Sequence, residues 1–214
     1  MKNKILCLRN VNVYDGISEE NLIKATDKAI EDYFEKDHIF YCPKNPAKNV
    51  YVLKSGEIEL YREENGKKII IEVLGAGDTF GDFGVPTTHC AKATRRSYIC
   101  ATPTEEFLNI VKTYPQMALN LMKAMAEKIS YYEDKIAEFS QPAEDRILAE
   151  LKRIKEKNSR KIWGKLFNIP LRISHKRLAE QVGLNRVTVT KLMGKLQSAN
   201  KIQIDSDTGV IEIL

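Results

Sequence analysis

Between about Ile39 and Thr102 the apolar positions fall in short runs, IFYC, NVYVLKSGEIELY, KKIIIEVL and AKATRRSYICA, rich in Val, Ile and Tyr and punctuated by Gly or Pro. Runs of that length and composition predict β-strands. Asn65-Gly66 separates two of them, and a two-residue loop of this type, with φ > 0 at both positions, closes an antiparallel hairpin. Many short strands with such turns predict a small antiparallel barrel or roll. The preceding stretch, SEENLIKATDKAIEDYF, reads as a short helical opening.

At Thr104 the period becomes helical, and Pro115 opens an uninterrupted segment to Phe139. Within it Ala118, Met122, Met125, Ile129, Tyr132, Ile136 and Phe139 recur at spacings that alternate between four and three, a heptad seam of the kind that pairs with another helix. Leu119 and Leu121 lie off the seam and are expected to touch the roll, which leaves Met122, Met125, Ile129, Tyr132, Ile136 and Phe139 for dimerisation. Ser140-Gln141-Pro142 interrupts the pattern. Proline suits the first position of a helix and not its interior, so a hinge and a new start are expected there.

Beyond the hinge, AEDRILAELKRIKEK is an amphipathic helix, and FNIPLRI is expected as a short strand confined by Pro170 to an edge. Ser174 is a good N-cap for the next helix. Leu178, Ala179 and Val182 form that helix's inner face, and Gly183 supplies a sharp turn. A second helix begins near Asn185 with Val189, Leu192, Met193 and Leu196 facing inward and Arg186, Thr188 and Lys191 outward, Thr190 beside them. Short helices, a tight turn and a second helix whose early residues leave the core make a helix-turn-helix. IQIDSDTGVIEIL, two strands around a polar turn, adds a wing.

Charge sharpens this picture. The net charge is +5, but residues from Gln141 onward hold 15 Lys and Arg against 8 Asp and Glu, whereas residues 1 to 140 hold 19 against 21. A basic end beside a slightly acidic one points to a polyanionic partner for the C-terminal third. Ser174, His175, Arg186, Val187, Thr188, Thr190 and Lys191 are therefore the candidate contacts to double-stranded DNA. Arg bonds guanine bidentately, Thr meets phosphate or a thymine methyl, and Lys meets phosphate or guanine.

Other chemistry is thin. Cys7, Cys42, Cys90 and Cys100 are scattered without metal-site spacing and are expected as reduced thiols. Triad, paired-carboxylate, P-loop and zinc-hydrolase spacings are missing, and GAGDTFG does not fit the dinucleotide fingerprint, so no enzyme is expected. Neither a membrane-spanning run nor a signal-peptide pattern is read in the sequence, which gives a cytoplasmic protein as the expectation. Trp163 is expected as a packing residue.

NVYVLKSGEIELY, the GAGDTFGDFG turn, the long helix from Pro115, Arg146 and LAEQVGLNRVTVTKLMGKL together resemble the transcription regulators of the cyclic-AMP receptor protein/FNR (CRP/FNR) family. The resemblance covers nearly the whole chain. It implies an α+β fold: an antiparallel β-roll of the double-stranded β-helix, cupin-like kind in residues 1–114, a dimerisation helix and hinge in 115–140, and a winged helix-turn-helix in 141–214. It also implies a homodimer gated by a small molecule in the roll, binding a near-palindromic site, with RNA polymerase as a partner if it activates.

The effector is where the chain departs from its relatives. Cyclic-nucleotide binders of the family carry a Glu in the glycine-flanked turn and an Arg-Ser pair after it; here stand Asp82 and Thr87-Thr88. Two hydroxyls do not replace a guanidinium's grip on phosphate. Tyr132-Glu133 falls where the family places Thr-Ser, and a carboxylate there repels an anion. The turn is closer to that of the family's haem carbon-monoxide sensors and halogenated-aromatic sensors. By that resemblance Gly81, Asp82, Phe83, Thr87, Thr88, Lys128, Tyr131 and Tyr132 are the candidate effector residues. Haem is a lesser alternative, with the sensors' axial positions at Gly81 and Phe83 unable to ligate and His89 and Cys90 as nearby candidates. An alternative of another class is a ligand-sensing subunit whose helical third binds protein.

Overall fold

The computed structural model describes residues 11–25, 27–160 and 170–214, and the chain forms two compact units, Met1–Ser130 and Tyr131–Leu214. Each is described by itself.

The first unit is built on strands β1 (Ile30–Phe34), β2 (Ile39–Tyr41), β3 (Asn49–Ser55), β4 (Ile58–Glu64), β5 (Lys67–Leu74), β6 (Thr79–Gly81), β7 (Cys90–Ala93) and β8 (Ser97–Pro103). They form two antiparallel four-stranded sheets, ordered β1-β8-β3-β6 and β2-β7-β4-β5. Tyr51 and Leu53 of β3, Ile58 and Leu60 of β4, Leu74, Phe80, Ala91 and Ile99 gather into one buried core drawn from both sheets. The alternate positions of β3, Val50 and Val52, face the other way, onto Phe107 and Ile110 of α2 (Thr104–Thr113) and Met117 of α3 (Pro115–Glu138). Because β3 is covered on both faces, its residues Val50 to Leu53 are all buried, which is why the run VYVL is continuously apolar.

Asn65 (φ 52°) and Gly66 (φ 71°) join β4 to β5 with Glu64 opposite Lys67, the hairpin read from the sequence. The helical opening needs correction. Helix α1 spans only Glu19–Ala25, and Ile30–Phe34 is instead strand β1, pairing antiparallel with β8 from Ile30↔Ala101 to Phe34↔Ser97. That pairing satisfies β8's backbone groups on its outer side, a long-range demand that local periodicity does not report. Leu119 also differs from expectation: it is exposed, while Met117, the half-buried Leu121 and the buried Asn120 secure α3 to this unit. Asn120 donates from Nδ2 to the carbonyls of Val13 (3.1 Å) and Asp15 (2.8 Å), closing the 3-10 turn Asn12–Tyr14.

The second unit holds α4 (Ala143–Arg160), α5 (His175–Val182), α6 (Arg186–Ser198) and the hairpin β9 (Ile202–Ile204) with β10 (Ile211–Ile213). Ile147 and Leu151 of α4, Leu178, Ala179 and Val182 of α5, Val189, Met193 and Leu196 of α6, and Ile202 and Ile211 of the wing share one core. Of the FNIPLRI stretch, residues 167–169 lie outside the described ones. Leu171 is not in a strand, although its carbonyl accepts from Ile211 N–H at 2.9 Å. Trp163 and Cys7 also lie outside the described residues.

The Ser140–Pro142 turn is bridged on both sides. Arg153 of α4 binds Glu138 and, at 2.6 Å, the buried Glu150, which also forms an ion pair with Lys135 at 3.4 Å. Arg146 stacks its guanidinium 5.6 Å from the Phe139 ring and donates to the Val182 carbonyl at 3.4 Å.

Candidate nucleic-acid interface and effector site

Two caps set the geometry of the helix pair. The Ser174 hydroxyl accepts from Arg177 N–H at the start of α5, and the Asn185 side chain accepts from Thr188 N–H (2.8 Å) at the start of α6. Between them Gly183 adopts φ 67°, ψ 33°, the left-handed conformation that glycine takes without penalty. Leu184 N–H then returns to the Ala179 carbonyl at 3.0 Å.

With Val189, Met193 and Leu196 inward, α6 exposes Arg186, Val187, Thr190 and Lys191 at and near its N-terminus, Val187 being 64% exposed. Thr188 is turned further in and is only partly exposed. The Thr190 hydroxyl donates to the Arg186 carbonyl (3.0 Å) and lies 2.9 Å from His175 Nδ1. Its single proton is committed to the carbonyl, so Nδ1 of His175 is the donor. All of the predicted DNA-contacting residues thus belong to the two capped helices or the cap itself. At the wing tip the Asp205 carboxylate accepts from Thr208 N–H and Oγ1 (both 2.6 Å) and from Asp207 N–H (3.1 Å), and these donors hold its pKa below the ordinary carboxylate value.

In the first unit the residues of the glycine-flanked turn separate. Gly81 has φ 112°, and a Cβ there would overlap the Asn49 carbonyl, because β6 packs directly on β3. Asp82 closes the turn: its N–H donates to Asn49 O (3.0 Å) and its Oδ1 accepts from Gly84 N–H (2.7 Å). Phe83 sits edge-on to Phe107 at 5.8 Å, in the core between sheet and helices. Thr87 and Thr88 behave differently. The Thr87 hydroxyl is buried without a hydrogen-bond partner, and Thr88 receives Arg62, Nη2 to Oγ1 at 2.6 Å and Nε to the carbonyl at 3.1 Å. Lys128 pairs with Glu72 at 2.9 Å. Tyr131 and Tyr132 belong to the second unit, where the Tyr131 ring lies 5.5 Å from Lys135 Nζ.

Sequence reasoning missed Arg62, Tyr41 and Glu72 as members of this cluster. His89 Nε2 lies 3.1 Å from the buried Tyr41 hydroxyl. Burial, with the positive charges of Arg62 and Lys128, holds the His89 pKa below its ordinary value against the opposing Glu72. Tyr41 accepts from the Gly81 backbone, and burial pushes its pKa up, so the phenol keeps its proton. One signal did exist in the sequence: Arg62 and Glu72 share strand faces with the core residues Leu60 and Leu74.

The cysteine expectation is corrected here. Cys42 and Cys90 form a disulfide, their Cα atoms 4.1 Å apart, and Cys100 is wholly buried and not part of one. Tyr41 pairs with Ala91 across β2 and β7, so the next residues out, Cys42 and Cys90, face each other. Spacing along the chain carries no trace of that register. Cys90 sulfur is committed to Cys42, and His89 Nε2 to Tyr41, so these residues do not fit an axial haem pair.

Comparison with known proteins settles the class. Residues 31–114 match the cyclic nucleotide-binding domain and residues 145–214 the Crp-like helix-turn-helix domain, in that order along one chain. The chain belongs to the CRP/FNR family of transcription regulators. Among its relatives is the global nitrogen regulator of Synechocystis sp., 26% identical over 182 residues that span 82% of this chain and 81% of that protein. The c-di-GMP-responsive global regulator CLP of Xanthomonas campestris shares the fold of this CRP/FNR regulator at a TM-score of 0.76 and 14% identity, covering 92% of this chain and 99% of that one. A CooA mutant from Carboxydothermus hydrogenoformans does so at 0.74 and 19% identity, over 100% and 92%. Among the described residues of this family member, no helix is long and apolar enough to cross a membrane.

Proposed function

We propose that this CRP/FNR regulator acts as a homodimer paired along α3, reading a near-palindromic DNA site with two copies of α6 and gated by a small molecule other than cyclic AMP. The observation that carries the reading is the outward set Arg186, Val187, Thr190 and Lys191 on a helix whose opposite face is buried. Met122, Ile129 and Ile136, exposed at 66%, 58% and 68%, support pairing, because an apolar heptad stripe in water calls for a second helix. Two recognition helices then stand about 34 Å apart, one turn of duplex. RNA polymerase is the further partner if the protein activates transcription.

The effector site proposed in the roll is the cluster of Arg62, Glu72, Thr87, Thr88 and Lys128, with Gly81 and Asp82 shaping its turn and Phe83 its inner support. Arg62 supplies a guanidinium in the place where the turn lacks one, but from a different strand, so a cyclic nucleotide's phosphate does not meet the geometry built for it. An effector gates DNA binding only through unequal affinity for the competent and incompetent states.

Fluorescence anisotropy of the full chain on a labelled random-sequence duplex at increasing salt tests the DNA reading. Affinity is expected to fall steeply and linearly on a log–log plot, as counterions are released. Affinity that does not change with salt, or no binding at low salt, overturns it in favour of a protein-binding role for the second unit.

A further inference from the structure

The Cys42–Cys90 bond lies in the first unit, and the candidate DNA-contacting residues in the second. Its position, though, ties it to the candidate effector cluster. The two cysteines face each other where the β2–β7 ladder ends, past a register irregularity between Ile39 and Tyr41. Cys42 and Asn45 exchange backbone hydrogen bonds at 3.0 and 2.9 Å, which turns the chain sharply away. Each cysteine is followed or preceded by a member of the cluster. Tyr41 precedes Cys42, His89 precedes Cys90, and the two are hydrogen-bonded; Thr88, one residue further, carries Arg62. The disulfide is thus a covalent anchor at the end of the Thr87–Cys90 segment, which is also attached by the Tyr61↔Cys90 pairing of β7 with β4, by Tyr41–His89 and by Arg62–Thr88.

Accessibility separates this pair from the remaining described cysteine. Cys100 is fully buried between the sheet and the helices, as inert structural thiols are, whereas Cys42 and Cys90 are only partly buried. Disulfides within reach of solvent are the labile ones. We propose that Cys42 and Cys90 are a reversible dithiol–disulfide couple, oxidised in this structure, on which thiol reductants act to loosen the segment that carries Thr87, Thr88 and His89.

The chemistry balances with a dithiol as co-reactant. Its thiolate attacks one sulfur of the Cys42–Cys90 bond, forming a mixed disulfide and releasing the other cysteine as a thiolate, which takes up a proton. The second thiol of the reductant, as thiolate, attacks its own sulfur in the mixed disulfide, frees the second cysteine, which is protonated in turn, and closes the reductant's own disulfide. Two electrons and two protons pass to the chain. A disulfide oxidant reverses both steps.

The test uses the full chain in dithiothreitol buffers of graded reduced-to-oxidised ratio, without effector or DNA. Thiols are counted by alkylation and mass spectrometry, and the His89 imidazole is followed by NMR, assigned with His89→Gln. Cys42 and Cys90 are expected to become alkylatable together while the roll stays folded by circular dichroism, with the His89 resonance shifting in step. In Cys42→Ser/Cys90→Ser the His89 resonance is expected to ignore the buffer. The couple is overturned if the cysteines are alkylated in the oxidised buffer, or if they react only once the roll unfolds, which makes the bond a structural staple. A His89 resonance unmoved by reduction overturns the link to the cluster. Since neither readout involves DNA, failure here is distinguishable from failure of the DNA reading.

Discussion

Partial burial and the nearby cations Arg62 and Lys128 hold the His89 pKa below its ordinary value, and this gives the roll a pH dependence whose sign is fixed. The unfolded chain takes up a proton near the ordinary value of 6.5, the folded one only at lower pH. Stability is therefore full above about 6.5 and is lost as pH falls from there through the folded pKa. The thermal midpoint of the roll should drop between pH 7.5 and 5.5, and His89→Gln should flatten that drop; an equal drop in the variant would assign it to other groups. Asn120→Ala removes the donor to the buried Val13 carbonyl and to the more exposed Asp15 carbonyl, and should cost about 1–3 kcal/mol in denaturant unfolding. Cyclic AMP should give no binding heat in titration calorimetry, because Asp82 is already spent on Gly84 and the following pair is Thr-Thr. The cap Ser174 and the start of the second helix near Asn185 were legible in the sequence because a capped helix is decided by residues three or four apart. Arg62–Thr88, Tyr41–His89 and Cys42–Cys90 were not, since their partners are 26, 48 and 48 residues distant and meet only through strand register.

Among the elements, α3 carries the clearest consequence of its pattern. Its first turns are held by Met117 and Asn120, while Met122, Met125 and Ile129 are exposed on the heptad face. Ile129→Glu should leave the protomer's circular dichroism unchanged and convert a dimer to a monomer in sedimentation velocity at micromolar concentration. A dimer that persists would move the interface off this helix. Strand β1 shows the opposite case, a sequence that reads as helix until the outer side of β8 is known to need a partner. Helix α5 is short, and Leu178 within it is wholly enclosed by the second core; Leu178→Ala should cost about 2–5 kcal/mol in that unit's unfolding.

At the scale of the molecule, the roll pattern, the long helix and the helix-turn-helix were each legible, since periodicity and turn chemistry act locally and every level agrees with the next. The division between units was less so. It falls at Ser130–Tyr131, within α3, and the turn at Ser140–Pro142 is spanned by Lys135, Glu138, Glu150 and Arg153. Charges that close a ring across a proline turn cannot be paired from sequence spacing alone. Symmetric reading of DNA by two α6 helices remains the central claim, and selection of binding sites from a random duplex pool, with wild type and Arg186→Ala in parallel, tests it most directly. The wild type should enrich a two-fold symmetric motif with half-sites about one turn apart, and Arg186→Ala should lose about 1–3 kcal/mol and relax one base position in each half. A pool that stays random, or an Arg186→Ala motif identical to that of the wild type, would contradict the account.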